Sequence, residues 1–262
     1  RYLIMASRSK GVKITYKGMC DDVGVTVEAL QKIGSKVQVS KLFLTINGFE
    51  KITEGVLDSK ESGSSIRFIL PYAFIEEGSY EFTGRGRLPE RPLGDLLDQL
   101  SQKGVNFSGQ KLPFIGQGQI EAGGPDGIYY KLRADISSQY ISGLMMASSF
   151  IADHIEIDLL GKVKSLAYIE MTAGVMREFS YDVKILEDKI IIDKIKNLEY
   201  SNNPIKEIKI EGDWSNALVA IALGLLKGNL RIRGLNKNSY QGDKNIVEIL
   251  KSQGADLEWQ DQ

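Results

Sequence analysis

At 262 residues with 42% hydrophobic content, the chain can bury one large core or two, and disorder is excluded. Its 33 basic and 34 acidic residues leave a formal net charge of -1, which excludes the global basic footprint of a nucleic-acid binder. One cysteine, Cys20, excludes an internal disulfide framework and a cysteine metal cluster and suits a reducing cytoplasm, while no apolar run is long enough to cross a membrane and no signal peptide is visible.

In chain order, residues 2–8 read as the end of a helix, 12–16 as extended, and 25–33 as a helix stopping at Gly34. Residues 64–75 read as helix, 80–83 as extended, and 93–103 as helix up to Gly104. The strongest helix spans 138–151, with apolar positions at Tyr140, Ile141, Leu144, Met145 and Phe150 at near-helical spacing. Residues 154–159 alternate polar and apolar, as a half-buried strand does. A helix over 168–179 and two strands, 181–186 and 189–195, follow. Residues 214–226 then read as helix, 230–232 as extended, and 245–253 as helix before Gly254.

These elements repeat one order at a period of roughly 70 residues, too long for a solenoid unit. In three of four copies a glycine follows the second helix, as a left-handed cap requires. The expectation is an α/β fold of compact units about a pseudo-symmetry axis, with helices inside and sheets outside. The chain begins at Arg1 inside an apolar pattern, and residues 255–262 fall before the fourth copy is complete, so it is expected to be part of a larger protein.

The chemistry-bearing residues sit at helix starts and in loops. Ser137-Ser138-Gln139 opens the strongest helix; serine there is a preferred cap, and the free N–H groups, hydroxyls and amide can also converge on an anion. Arg85, Arg87 and Arg91 share a loop with Pro89 and Pro92, either solvated or a guanidinium fork for phosphate or carboxylate. Ser62-Gly63-Ser64-Ser65-Ile66-Arg67 reads as a tight turn and cap, or as an anion approach over Gly63 with Arg67 one turn inward. His154, the one histidine, reads as a strand residue, which leaves a zinc or Ser-His-Asp site without support, and Cys20 as a packing residue. Gly116-Gln117-Gly118 lacks the following helix and acidic partner of a dinucleotide site.

Taken in order, the stretches SGSSIR (62–67), TGRGRLPERPL (83–93), DISSQYISGLMMA (135–147), SLAYIEMT (165–172), EGDWSNA (211–217) and NSYQGD (238–243) resemble the 5-enolpyruvylshikimate-3-phosphate (EPSP) synthase family. The resemblance implies the inverse α/β barrel of the enolpyruvyl transferases, repeated helix–strand–helix–strand–strand units about a pseudo-threefold axis. Residues 1–211 would form the N-terminal domain of three units and 212–262 the first part of a second, incomplete domain. It implies transfer of the enolpyruvyl group of phosphoenolpyruvate to the 5-hydroxyl of shikimate 3-phosphate with release of phosphate, by a cytoplasmic monomer needing no cofactor or metal and binding neither nucleic acid nor membrane.

By the same resemblance, Arg1, Ser137, Ser138, Gln139, Ser165 and Tyr168 hold shikimate 3-phosphate, and Gly63, Arg67, Arg87 and Gln139 hold phosphoenolpyruvate. The family's catalytic Asp and Glu belong to its second half, so no catalytic residue is expected here and the isolated chain is expected to be inactive. Gln139→Ala is expected to weaken shikimate 3-phosphate binding with the melting temperature nearly unchanged, and Arg87→Lys to raise the phosphoenolpyruvate KM. Two departures stand out: Glu61 in place of the family's usual Asn, and Leu166-Ala167 in place of its usual Lys-Pro. The alternatives are the UDP-N-acetylglucosamine enolpyruvyl transferases, whose usual loop cysteine is missing here, and a non-catalytic anion-binding fragment.

Overall fold

The computed structural model describes residues 1–133, 135, 137–163, 165–195 and 206–260. The chain runs through α1 (Tyr2–Ala6), β1 (Lys10–Thr15), α2 (Asp21–Ile33), β2 (Ser35–Val39), β3 (Phe43–Phe49) and β4 (Glu54–Asp58). Next come α3 (Gly63–Ala73), β5 (Gly78–Thr83), α4 (Gly94–Ser101), β6 (Val105–Phe107), β7 (Phe114–Gly118) and β8 (Ile128–Arg133). Then follow α5 (Ser138–Ser148), β9 (His154–Leu160), α6 (Leu166–Glu178), β10 (Tyr181–Ile185), β11 (Lys189–Lys194), β12 (Lys206–Lys209), α7 (Trp214–Lys227) and α8 (Ile246–Ser252).

The strands form four-stranded sheets of order β12-β1-β3-β2, β4-β5-β7-β6 and β8-β9-β11-β10. A parallel pair needs a crossover, and in the second and third sheets a helix supplies it: α3 between β4 and β5, α5 between β8 and β9. In both, the two strands after the unit's second helix add antiparallel. In the first sheet, the edge position held elsewhere by β4 and β8 is filled by β12. Lys13 Nζ lies 2.9 Å from Glu207 and Thr15 Oγ1 bonds it at 3.4 Å, across 192 positions of sequence.

The helices lie inside. From Tyr140 to Ser148, α5 is buried on every side, and α3 is buried over most of its length. A helix covered all round is a core helix. The strands bury one face, as β9 does with Ile155, Ile157 and Leu159. Helices α3 and α5 cross so closely that a Cβ on Gly143 would fall 2.3 Å from the Arg67 carbonyl oxygen.

The expected helices form, with shifted ends. Asp21 and Asp22 start α2 four residues early, where acidic groups suit the dipole. Helix α5 stops at Ser148, and the Phe150 and Ile151 N–H groups close single turns instead. The three cap glycines have positive φ, 126° at Gly34, 96° at Gly104 and 88° at Gly254; the copy without one uses Ser180 at 67°. Sequence reading missed β2, β3, β4, β6, β7, β8 and β12. Several are only three to five residues long, and β7 carries two glycines, so cross-strand pairing rather than side-chain pattern supports them. Residues 230–232, expected to be extended, join no ladder among the described residues.

The chain divides into two compact units, Arg1–Ile208 and Lys209–Gln262. The second has a small core of Trp214, Ala217, Ile221 and Val247, with Trp214 and Trp259 in edge contact at 5.7 Å. Residues 211–217 and 238–243 together build the start of α7. Gln241 accepts from Trp214 N at 2.9 Å and donates to Glu211 at 2.8 Å, while Asp213 caps the helix at Ser215 N.

Candidate functional site

Ser62 caps α3 by accepting from Ser65 N at 3.2 Å, and Ser65 Oγ donates to the Asp22 carbonyl at 3.1 Å. These two hydroxyls tie the turn to α2 and are structural. Gly63, between them, is different. A Cβ there would meet Arg91 Nη1 at 2.5 Å and Arg67 Nη1 at 2.9 Å, so two guanidinium groups lie against its Cα. Arg67 Nη1 donates to the Gly63 carbonyl at 3.2 Å and to Gln139 Oε1 at 2.8 Å. Gln139 Nε2 in turn donates to Ser64 Oγ at 2.9 Å. Ser137 caps α5, accepting from Gln139 N at 3.3 Å, and Ser138 is its first residue, half-buried.

Arg1 approaches from α1. Its Nε donates to Thr172 Oγ1 at 2.7 Å and its Nη2 to the Tyr168 carbonyl at 3.3 Å. The guanidinium also lies over the rings of Phe68, 5.4 Å away, and Tyr168, 5.9 Å away. Burial lowers its pKa to about 10, with Tyr168 acting in the opposite direction, so Arg1 remains a cation at neutral pH. Thr172, fully buried on α6, sits 2.8 Å from the equally buried Ser142 on α5. Ser165 precedes α6 as its cap residue, but its hydroxyl makes no capping bond. Tyr168 is half-exposed.

These contacts bring the N-terminal ends of α1, α3, α5 and α6 together. Helix N-termini carry unsatisfied N–H groups and a partial positive charge. Adding Arg1, Arg67 and Arg91 makes this end of the helix layer suited to an anion.

The structure groups Arg1 with Tyr168, and Gly63 with Arg67 and Gln139. It does not group Arg87 with them. That side chain is 90% exposed and lies 3.9 Å from Glu90 in its own loop. Arg91, four residues on, reaches Gly63 instead. The loop is anchored by Arg85 N on the Lys60 carbonyl at 2.7 Å, by buried Leu88, and by a hydrogen bond from the Tyr140 hydroxyl to the Pro92 carbonyl. Glu61 is exposed and lies against Gly86, where water screens its charge.

Sequence reading gave no role to Thr172. Its spacing of four from Tyr168 on one helix face was the available signal. His154 bonds Asp193 at 2.6 Å across two strands beyond the other end of α5, Cys20 is exposed ahead of α2, and Gly116 to Gly118 lie within β7.

Gln139 carries a structural share beyond the expected binding role. Gln139→Ala removes a charge-assisted acceptor from Arg67 and a donor to Ser64. It is expected to cost about 1–2 kcal/mol of stability, a fall of roughly 2–8 °C in Tm, alongside weaker anion binding. A thermal melt showing no change would confine Gln139 to ligand contact.

Solved structures share this architecture. The EPSP synthase of Acinetobacter baumannii superposes with a TM-score of 0.72 at 22% identity, over 97% of this chain and 57% of that one. The enolpyruvyl transferase NikO of Streptomyces tendae gives 0.54 at 12% identity, over 87% and 52%. The fold is therefore the inverse α/β barrel of the enolpyruvyl transferases.

Residues 1–262 match the family of EPSP synthase, 3-phosphoshikimate 1-carboxyvinyltransferase. The 3-phosphoshikimate 1-carboxyvinyltransferases of Clostridium perfringens and Clostridium acetobutylicum are 30% and 32% identical over 98% and 96% of the chain. The chain belongs to the EPSP synthase family. It spans 60% and 56% of the length of those two relatives. Among the described residues, no helix is long and apolar enough to cross a membrane.

Proposed function

We propose that this chain forms the shikimate 3-phosphate side of an EPSP synthase site. In that site the enolpyruvyl group of phosphoenolpyruvate passes to the 5-hydroxyl of shikimate 3-phosphate and phosphate leaves. The gathering of helix N-termini with Arg67 and Arg91 at Gly63 and with Arg1 at Tyr168 and Thr172 carries this reading, because both substrates are polyanions whose mutual repulsion must be offset.

In this reading Arg1, Ser137, Ser138, Gln139, Ser165 and Tyr168 hold shikimate 3-phosphate. Gly63, Arg67 and Gln139 hold phosphoenolpyruvate, joined by Arg87 when it turns inward from solvent. Arg91 is added to that group by its place at Gly63. Residues 1–211 are read as the first domain and 212–262 as the start of the second, in a cytoplasmic, monomeric protein. The proton donor and acceptor lie in the remainder of the family's length.

The experiment compares the isolated chain with a complete protein that adds the remaining length. The chain should bind shikimate 3-phosphate with a Kd on the order of a millimolar, about -4 kcal/mol, by calorimetry. Its phosphate release with both substrates should stay at background, since positioned acid–base groups are worth about 10²–10⁴-fold. The complete protein should release phosphate only when both substrates are present. Phosphate release by the 262-residue chain itself would overturn the division of labour, and no release by the complete protein would overturn the activity.

A further inference from the structure

We infer that Tyr140 is a positioning residue whose hydroxyl latches the arginine-bearing loop 84–93 onto the N-terminal end of α5. Tyr140 is 2% exposed, so its hydroxyl needs a protein partner, and it donates to the carbonyl of Pro92. Pro92 directly follows Arg91. Holding that carbonyl fixes the backbone from which Arg91 reaches Gly63.

The loop's other end is held separately, by Arg85 N on the Lys60 carbonyl at 2.7 Å, and Leu88 pins its middle in the core. Between these anchors, Arg85 and Arg87 stay exposed. The Tyr140 ring meanwhile lies 5.5 Å from the Arg67 guanidinium. One side chain thus touches Arg67 through its face and sets the Arg91 backbone through its hydroxyl. Burial raises the phenol's pKa, which keeps the hydroxyl a donor at neutral pH. Phenylalanine would keep the ring contact and remove the latch together with the hydroxyl's interaction with Arg67.

The latch stands on geometry alone; its consequence for phosphoenolpyruvate rests on the function proposed above. Limited trypsin digestion tests the latch without any substrate. Trypsin can cut after Arg85 and Arg87, whereas Arg91 is protected by the following proline. In Tyr140→Phe, cleavage after Arg85 and Arg87 is expected to run about five- to tenfold faster, the weight of one hydrogen bond in a local opening equilibrium. Cuts elsewhere should keep their wild-type rates. In the complete protein, the same variant should raise the phosphoenolpyruvate KM several-fold with kcat and the shikimate 3-phosphate KM held.

Unchanged loop cleavage would overturn the inference. So would a variant that loses its melting transition or is cut faster at all sites alike, which would make Tyr140 an ordinary core residue. Faster loop cleavage, in a complete protein that turns over no phosphoenolpyruvate, would keep the latch and sink only the proposed activity.

Discussion

Arg67→Met is expected to weaken phosphoenolpyruvate binding by roughly 10- to 150-fold in the complete protein, the loss of one charge-assisted hydrogen bond worth about 1.5–3 kcal/mol. The side chain is central because it serves two elements at once. Its Nη1 bonds the Gly63 carbonyl within α3 and Gln139 on α5, and its guanidinium lies over Tyr140. Methionine keeps the length and apolar stem but leaves Gln139 Oε1 and the Gly63 carbonyl without this donor. Stability should therefore fall as well, by about 1–3 kcal/mol. Calorimetric titration beside a thermal melt separates the two effects. Wild-type affinity in a folded Arg67→Met protein would remove Arg67 from the site and leave Arg91 as the guanidinium at Gly63.

The second large effect is at Gly143. An added Cβ would lie 2.3 Å from the Arg67 carbonyl oxygen and 3.3 Å from Pro71 Cγ. Backbone, not a flexible side-chain end, is the obstacle, so α3 and α5 must separate. Overpacking costs about 1–3 kcal/mol and alanine's helix propensity returns up to about 1. A backbone clash this close belongs at the upper end, so Gly143→Ala should lose about 2 kcal/mol net, a Tm fall of roughly 4–8 °C. Because the displaced carbonyl belongs to Arg67, anion binding should weaken together with stability. Gly24→Ala in α2 is the control. Its Cβ meets nothing nearer than Met19 Sδ at 4.0 Å, and it should raise stability by about 0.4–1 kcal/mol. Equal melting behaviour in the two variants would mean that the α3–α5 crossing is not the tight point of the fold.

The helices and the chemistry at their starts are legible in local residue pattern. Periodicity located α2, α3, α4, α5, α6, α7 and α8, and glycine marked the ends of α2, α4 and α8, because burial of one face and left-handed caps are written in neighbouring residues. Serines and arginines at loop–helix junctions pointed to anions for the same local reason. The remainder depends on contacts between residues far apart in the chain. The bond between Arg1 and Thr172 joins residues 171 apart, and the closure of the first sheet by β12 joins β1 to the far end of the first unit. Strand ladders are made of backbone groups that every residue carries, so short strands such as β6 and β12 leave little trace in side-chain pattern. By residue type and spacing Arg85, Arg87 and Arg91 were equivalent, and the family resemblance singled out Arg87. Only the anchoring of their loop at Lys60, Leu88 and Tyr140 puts Arg91 against Gly63 and leaves Arg87 in solvent.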